Sequence, residues 1–423
     1  GSTMPSCPTM QRITLCGFAL LLVAMVQALP MVEPEGWINN AKLQNQALGR
    51  SPMPVKKATV NLDLPPIERW AEVGAAHQEA AQILVDYIHG LIPSWAMPLL
   101  EDIALHIDNY RGFGEFADEM KGYAKALNVN LADIVIGSLI YELEHLGINC
   151  TARNTTGPCP SKVAETANAD GIVYPFRRPE MGNPATGPMG MCTSVVAQTP
   201  DGHIWHGRNM DWNLPLNLRS LYVDVEFTKA NKTLYVGTSL IGYVGVFSGM
   251  RPNGFSFSMD ARDCGGDIIP NLLEMLFAGA ALPTQHARKV LEDGADYDHG
   301  IELFTSGKLA NPVYYIVGGV SAGQGAVISR DRNDGGDVWR LNATETNGWY
   351  RLETNYDHWK PVPSYDDRRT PGYKNMEALG SAGVNGDSLL TVMKTWPTFN
   401  PHTDYTGIFS AGTNVYQSAY WSD

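Results

Sequence analysis

The sequence predicts an α+β protein: a layered sheet-helix-sheet body over residues 192–423, preceded by a mostly helical segment over 29–191. Three observations predict it. Ala80, Ile83, Leu84, Tyr87 and Ile88 recur at helical spacing, giving one apolar helix face. From Cys192 the texture changes to short β-rich runs, with Asp201-Gly202 and Pro252-Asn253-Gly254 as turns between them. Between Gly147 and Gly190 no periodic face can be drawn, and so long an ordered loop is unusual, so 147–191 is expected to be a flexible, processed linker.

Targeting and composition come first along the chain. Arg12 precedes the apolar run Leu15 to Val26, and Val26-Gln27-Ala28 places small residues where a signal peptidase reads, so cleavage is expected after Ala28. Gly1 to Thr3 precede Met4 and play no part in the fold, which leaves 1–28 outside the mature chain. The run is shorter than the roughly 20 apolar residues a membrane span needs. Asn149, Asn154, Asn231 and Asn342 each open an N-x-Ser/Thr sequon, which fits surface loops of a lumenal glycoprotein. The chain of 423 residues has a net charge of -13, which excludes the concentrated basic face that nucleic acid requires.

Residues 29–60, rich in Pro, Asn and Lys, read as an extended lead-in. Helices follow around 75–88, 97–109, 113–127 and 133–143, the last with Asn130 or Asp133 as its cap. Strands are expected at 193–197, 203–208, 221–227, 233–237, 245–248 and 255–259, helices at 271–280 and 284–292, and strands again at 313–317, 325–329, 338–341 and 349–354.

Six cysteines are too few for a disulfide scaffold. Cys7 and Cys16 leave with the signal peptide, and Cys150 and Cys159 are close enough for a local disulfide. Cys192 and Cys264 remain. They either pair with each other or leave a free thiol, which in an oxidising compartment points to catalysis.

Cys192 opens Cys-Thr-Ser-Val-Val-Ala, and Arg208 and Asp211 follow one hairpin later, across the turn Gln198 to Gly202. If the chain cuts itself before Cys192, the freed α-amine sits on the same residue as the thiol. An α-amine titrates at about 7.7 to 8.0 and can take the thiol proton without a histidine. Asp211 would orient that amine, and Arg208 would hold the thiolate or substrate carbonyl and lower the thiol pKa. Asn355, at the end of a strand, suits an oxyanion donor, and Arg368 or Arg369 would neutralise nearby carboxylates or reach the site. The plainer alternative makes Cys192 a small buried strand residue, Arg208 and Asp211 a surface ion pair, and Asp366 to Arg369 a solvated loop.

The blocks Cys192 to Ala197, His206 to Asp211, Gly242 to Gly245, Tyr315 to Gly319, Glu353 to Pro361 and Asp366 to Thr370 occur in order. Together they resemble the acid ceramidase family of N-terminal-nucleophile hydrolases, over roughly 55–145 and 192–415. The resemblance implies a four-layer αββα core and a lysosomal precursor cut at Met191-Cys192 into an α chain (29–191) and a β chain (192–423) that stay associated. It implies Cys192 as nucleophile, Arg208 and Asp211 as site organisers, Asn355 as oxyanion asparagine and Arg368 as a further site arginine, with no cofactor and no metal. The implied reaction is hydrolysis of N-acylethanolamines such as palmitoylethanolamide to fatty acid and ethanolamine, with ceramide as the alternative substrate. Two departures stand out: Ala261 replaces a glutamate of the family's Asp-Glu-Arg segment, and the 147–190 stretch is an insertion. Met210, Trp212, Leu214, Leu216, Met250 and 242–249 are expected to line an acyl tunnel, and Leu91 to Leu100 to form a lip touching anionic membranes.

Overall fold

The computed structural model describes residues 41–91, 97–110, 112–146, 192–212, 214–262, 279–333, 335–363 and 366–422. The signal peptide, the Cys150–Cys159 disulfide, Cys264, the linker 147–191 and most of the helix expected at 271–280 lie outside them.

Two sheets face each other. The six-stranded sheet contains β1 (Ser51–Pro54), β3 (Thr193–Gln198), β4 (Ile204–Asp211), β12 (Tyr350–Glu353), β13 (Thr403–Ser410) and β14 (Val415–Ser422), in the order β1-β14-β13-β4-β3-β12. The eight-stranded sheet contains β2 (Lys56–Asn61), β5 (Tyr222–Lys229), β6 (Lys232–Leu240), β7 (Ser248–Arg251), β8 (Phe255–Ala261), β9 (Val313–Gly318), β10 (Gly325–Arg330) and β11 (Asp337–Arg340). Its order is β11-β10-β9-β8-β7-β6-β5-β2.

Side chains alternate across a strand, so β3 serves both faces of its sheet. Val195 and Ala197 face outward, onto the helices Arg369–Leu379 and Gly386–Met393, through Leu352, Met376, Leu389, Val392 and Met393. Val196 faces inward, against Ile316 and Val327 of the other sheet. Against the eight-stranded sheet lie the helices Pro283–Asp293 and Tyr297–Phe304, with Ala71–Ala76 of the N-terminal segment against β2. Helix, sheet, sheet and helix make the four-layer αββα core. Gly207 shows how closely the outer layer approaches: a Cβ there would sit 3.1 Å from Met393 Cγ and 3.2 Å from Leu389.

The N-terminal segment differs from its sequence reading at its start. Residues 29–60 are not a plain extended lead-in: within them lie a helix, Ala41–Leu48, and both β1 and β2. β1 carries Pro52 and Pro54, which tolerate a strand because β1 is an edge. The helices Gln78–Leu91, Met97–Leu105, Phe116–Leu127 and Leu131–Leu146 match expectation, and Asn130 Oδ1, not Asp133, caps the last by accepting from Ala132 N at 3.0 Å. Of the strand expected at 245–248 only Ser248, where β7 begins, is in a strand, and 245–247 form no regular element. Among the described residues no helix is long and apolar enough to cross a membrane.

An ionic cluster with Glu119 and Arg288 fully buried ties the N-terminal segment to the body. Glu119 accepts from Arg288 Nη2 and Arg69 Nη1, each at 2.8 Å, and from Trp70 Nε1 at 2.6 Å. The Arg288 guanidinium lies 4.7 Å from the Phe227 ring and 5.2 Å from Phe116. Burial works to raise the Glu119 pKa, but Arg288 and these hydrogen bonds hold it below the ordinary value.

Candidate active site

β3 and β4 pair antiparallel, with Ser194 opposite Arg208 and Thr193 opposite Asn209. Opposed residues share a face, so Arg208 points with Ser194 into the space between the sheets. Cys192, one step before β3 and two before Ser194, is fully buried and lies on the same side. Asn209 points the other way, where its Nδ2 donates to the carbonyls of Met393 and Thr398, both at 2.7 Å.

Arg208 is anchored in three directions. Its Nη1 donates to the carbonyls of Met259 at 2.7 Å and Phe247 at 3.0 Å, and its Nη2 lies 3.6 Å from Cys192 Sγ. Nη1 is also 4.0 Å from Asp260 Oδ1, and the guanidinium sits over the Tyr405 ring at 5.3 Å. Burial opposes its charge, but Tyr405, Cys192 and Asp260 keep it protonated.

The thiol does not behave as expected from sequence. Burial pushes the Cys192 thiol up to about 12, and the nearby Arg208 charge offsets only part of that. Desolvation of the thiolate outweighs one cation here. Among the described residues no histidine contacts the thiol. His206, the buried imidazole on β4, is engaged by Ser256 at 3.1 Å and Ser258 at 2.9 Å, and burial lowers its pKa to about 3.

Arg368 binds the other end of the site together. It contacts the Cys192 carbonyl, and its Nη1 donates to Thr193 Oγ1 at 3.2 Å. Its Nη2 donates to the Thr354 carbonyl at 2.8 Å and to Asn355 Oδ1 at 3.0 Å. Asp366 balances the charge at 2.7 Å from Nε. The alternative of a solvated loop is excluded, because Asp366, Arg368 and Arg369 are all buried. Arg369 turns away, with its guanidinium 4.0 Å from the Tyr356 ring.

Asp211 and Asn355 complete the group. Asp211 Oδ2 accepts from Asn400 Nδ2 at 2.6 Å and lies 3.9 Å from Arg368 Nη1, while Oδ1 has no hydrogen-bond partner among the described residues. Burial pushes the Asp211 carboxyl up to about 8. The pair is therefore not a surface ion pair of Arg208 and Asp211. Asn355 holds a left-handed backbone (φ 71°), which asparagine tolerates well, and its Nδ2 donates to the Ala261 carbonyl at 2.7 Å. The other four residues singled out from sequence, Arg208, Asp211, Asn355 and Arg368, thus gather around Cys192.

The tunnel reading is partly corrected. Met210 and Trp212 lie in the core cluster that includes Cys192, and Met210 Sδ is 3.9 Å from Cys192 Sγ. Met250 packs instead with Phe409 and Ala411, and Leu216 is 45% exposed. Sequence reasoning missed Asp260, which accepts from Ser194 Oγ at 2.8 Å and whose carboxyl burial raises to about 6. It also missed Glu353, pushed by burial up to about 8. The available signal was an acidic residue at a buried position of an apolar strand.

This geometry coincides with the comparisons to known proteins. Residues 53–113 match a family model described as the beta subunit of N-acylethanolamine-hydrolyzing acid amidase. Residues 192–389 match linear amide C-N hydrolases of the choloylglycine hydrolase family. N-acylethanolamine-hydrolyzing acid amidase of Mus musculus is 32% identical over 359 residues, 83% of this chain and 84% of that protein. The Rattus norvegicus amidase is 30% identical over 402 residues, 94% of each. Acid ceramidase of Mus musculus is 29% identical over 384 residues, 86% of each. The fold and the buried cysteine site are those of an N-terminal-nucleophile amidohydrolase, and the chain belongs to the family of N-acylethanolamine-hydrolyzing acid amidases and acid ceramidases.

Proposed function

We propose that this protein is a lysosomal cysteine amidase that cuts itself at Met191-Cys192 and then hydrolyses N-acylethanolamines to fatty acid and ethanolamine. The observation that carries this reading is the convergence of Arg208, Asp211, Asn355 and Arg368 on the buried Cys192.

In the uncut chain the Cys192 nitrogen is an amide and cannot act as a base. Self-cleavage starts when the thiol adds to the preceding carbonyl and the C–N bond breaks, leaving a thioester that water hydrolyses. The released α-amine sits on Cys192, within the field of the Asp211 carboxyl, whose Oδ1 has no hydrogen-bond partner among the described residues and can accept from it. The carboxyl then ionises against the new ammonium, and Asp211 fixes the orientation of the base.

Turnover is acyl transfer in two steps. The amine takes the thiol proton and the thiolate attacks the substrate carbonyl, with the remaining Asn355 N–H on the oxyanion. The C–N bond breaks as the ammonium protonates the departing ethanolamine nitrogen. Water then adds to the thioester, the free acid leaves, and Cys192 regains its proton. Arg208, locked to two carbonyls, supplies fixed positive charge beside the sulfur.

The α and β segments remain together through the Glu119–Arg288 cluster. Most side chains of the lip expected at Leu91 to Leu100 lie outside the described residues; peripheral membrane contact is supported instead by Leu105, 75% exposed, with Ile67 and Leu64 of the N-terminal segment 49% and 38% exposed. Ceramide is the second reading, favoured by the 29% identity to acid ceramidase. The test compares palmitic acid release from palmitoylethanolamide and from matched ceramide at acidic pH, using protein whose mass proves the cut. Faster release from the ethanolamide is expected. Faster ceramide cleavage establishes the second reading, and no release from either defeats both.

A further inference from the structure

The helix Leu131–Leu146 belongs to the N-terminal segment, yet two of its residues reach the site from across the proposed cut. Ser138 and Tyr141 are one turn apart and share a face. Ser138 is fully buried, and its Oγ accepts from Val244 N at 3.1 Å, fixing the turn between β6 and β7. Tyr141, 1% exposed, stands edge-on to Trp212 with ring centroids 5.1 Å apart, and lies 5.4 Å from Phe247. Trp212 and Phe247 are themselves 5.5 Å apart, so the three rings close a triangle.

Two corners of that triangle belong to the reacting machinery. Trp212 follows Asp211 directly, and the Phe247 carbonyl accepts from Arg208, whose other nitrogen is 3.6 Å from Cys192 Sγ. The third corner, Tyr141, is the apolar surface that the α segment presents there. The Tyr141 phenol also lies near enough to interact with the Arg208 charge. An acyl chain entering beside Cys192 on this side meets these rings, and Tyr141 is the one that comes from the other segment.

We propose that Tyr141 is a specificity-determining residue, its ring forming the α-segment wall of the pocket that receives the substrate's acyl chain. This rests on the lipid-amidase reading above and deepens it, because it makes chain-length choice a property of the α segment. Shortening the side chain opens room on the acyl side while leaving Cys192, Arg208 and Asp211 in place. Each extra methylene then accommodated is worth about fourfold in kcat/KM.

The experiment measures kcat/KM of mature protein for lauroyl-, palmitoyl- and arachidoyl-ethanolamide, with Tyr141→Ala and Tyr141→Phe beside the wild type. In Tyr141→Ala the arachidoyl-to-palmitoyl ratio should rise by about tenfold or more. In Tyr141→Phe, which keeps the ring, the ratio should stay within about twofold of wild type, a split that mere loss of stability would not produce. An unchanged ratio in Tyr141→Ala overturns the proposal. Should that variant fail to mature, Tyr141→Leu is read in its place, with a rise supporting the proposal and an unchanged ratio overturning it. If the wild type hydrolyses no acylethanolamide, the amidase reading falls by itself, and the same ratio taken with ceramides of matched chains still decides the role of Tyr141.

Discussion

Asn355 donates its side-chain N–H to the backbone carbonyl of Ala261 at 2.7 Å, so β8 of one sheet holds the amide that follows β12 of the other. The residue that departs from the family pattern therefore still positions the proposed oxyanion donor, because it does so with its main chain. Arg368 holds the other end of the same amide at 3.0 Å. The asparagine is aimed before any substrate arrives.

That preorganisation makes Asn355→Ala informative. On material already cut, kcat should fall by about 10²- to 10³-fold with KM little changed. Steady-state kinetics with palmitoylethanolamide checks it. A change confined to KM would reassign Asn355 to ground-state binding.

Cys192→Ser should suppress both the self-cut and turnover, because an alcohol is a poorer nucleophile than a thiol at acidic pH. Intact mass after incubation at pH near 5 reads the cut directly. Asp211→Asn should fold and yet lose most turnover, since the amide cannot ionise against the new ammonium. Wild-type rates in that variant would remove Asp211 from the mechanism.

The buried carboxyls set a pH dependence for the uncut chain. Burial raises Asp211 and Glu353 to about 8, Asp404 to about 7 and Asp260 to about 6. Each holds a proton when folded that it releases on unfolding, so each contributes stability at low pH that is lost as pH rises through its folded value. His206, His286 and His402, lowered by burial to about 3, 4 and 4, act with the opposite sign, but only as pH falls below about 6.5. Between about pH 6.5 and 8 the carboxyls are unopposed. The Tm of uncut Cys192→Ala protein should fall across that window in calorimetry, and a rise would contradict neutral buried carboxyls.

Glu119→Gln should leave the buried Arg288 with only Glu292, 3.4 Å from its Nε, as counter-charge. Removing one partner of such a pair typically costs about 3–5 kcal/mol. After the cut, the two chains should then separate on size exclusion at concentrations where wild-type chains co-elute. Co-elution indistinguishable from wild type would show that strand pairing and apolar packing suffice to hold them.

Much of the site was legible because its residues fall on one hairpin and two short polar runs. The turn Gln198 to Gly202 fixes β3 against β4, and the period of two then brings Arg208 beside Cys192. The thiol's elevated pKa was not legible, since it depends on burial by residues from both sheets. Asp260 and Tyr141 were missed for a related reason, since each arrives from a distant element and no local spacing joins it to Cys192; Glu353, two residues before Asn355, gains its weight only from burial. β1 was hidden by its own prolines, which make a poor strand signal although an edge accommodates them. The helices Arg369–Leu379 and Gly386–Met393 were also unassigned, though Asn385 accepting from Ser388 N at 3.0 Å is a cap with a sequence signature.

The placement of β1 and β2 has a further consequence. Both belong to the N-terminal segment, and each is the terminal strand of a different sheet, β1 against β14 and β2 against β5. Were the α chain lost after the cut, β14 and β5 would each present an unpaired row of backbone donors and acceptors. Such rows template the addition of further strands. An orphaned β chain would then carry two adhesive borders, one on each sheet, and polymerise instead of persisting as an inactive monomer.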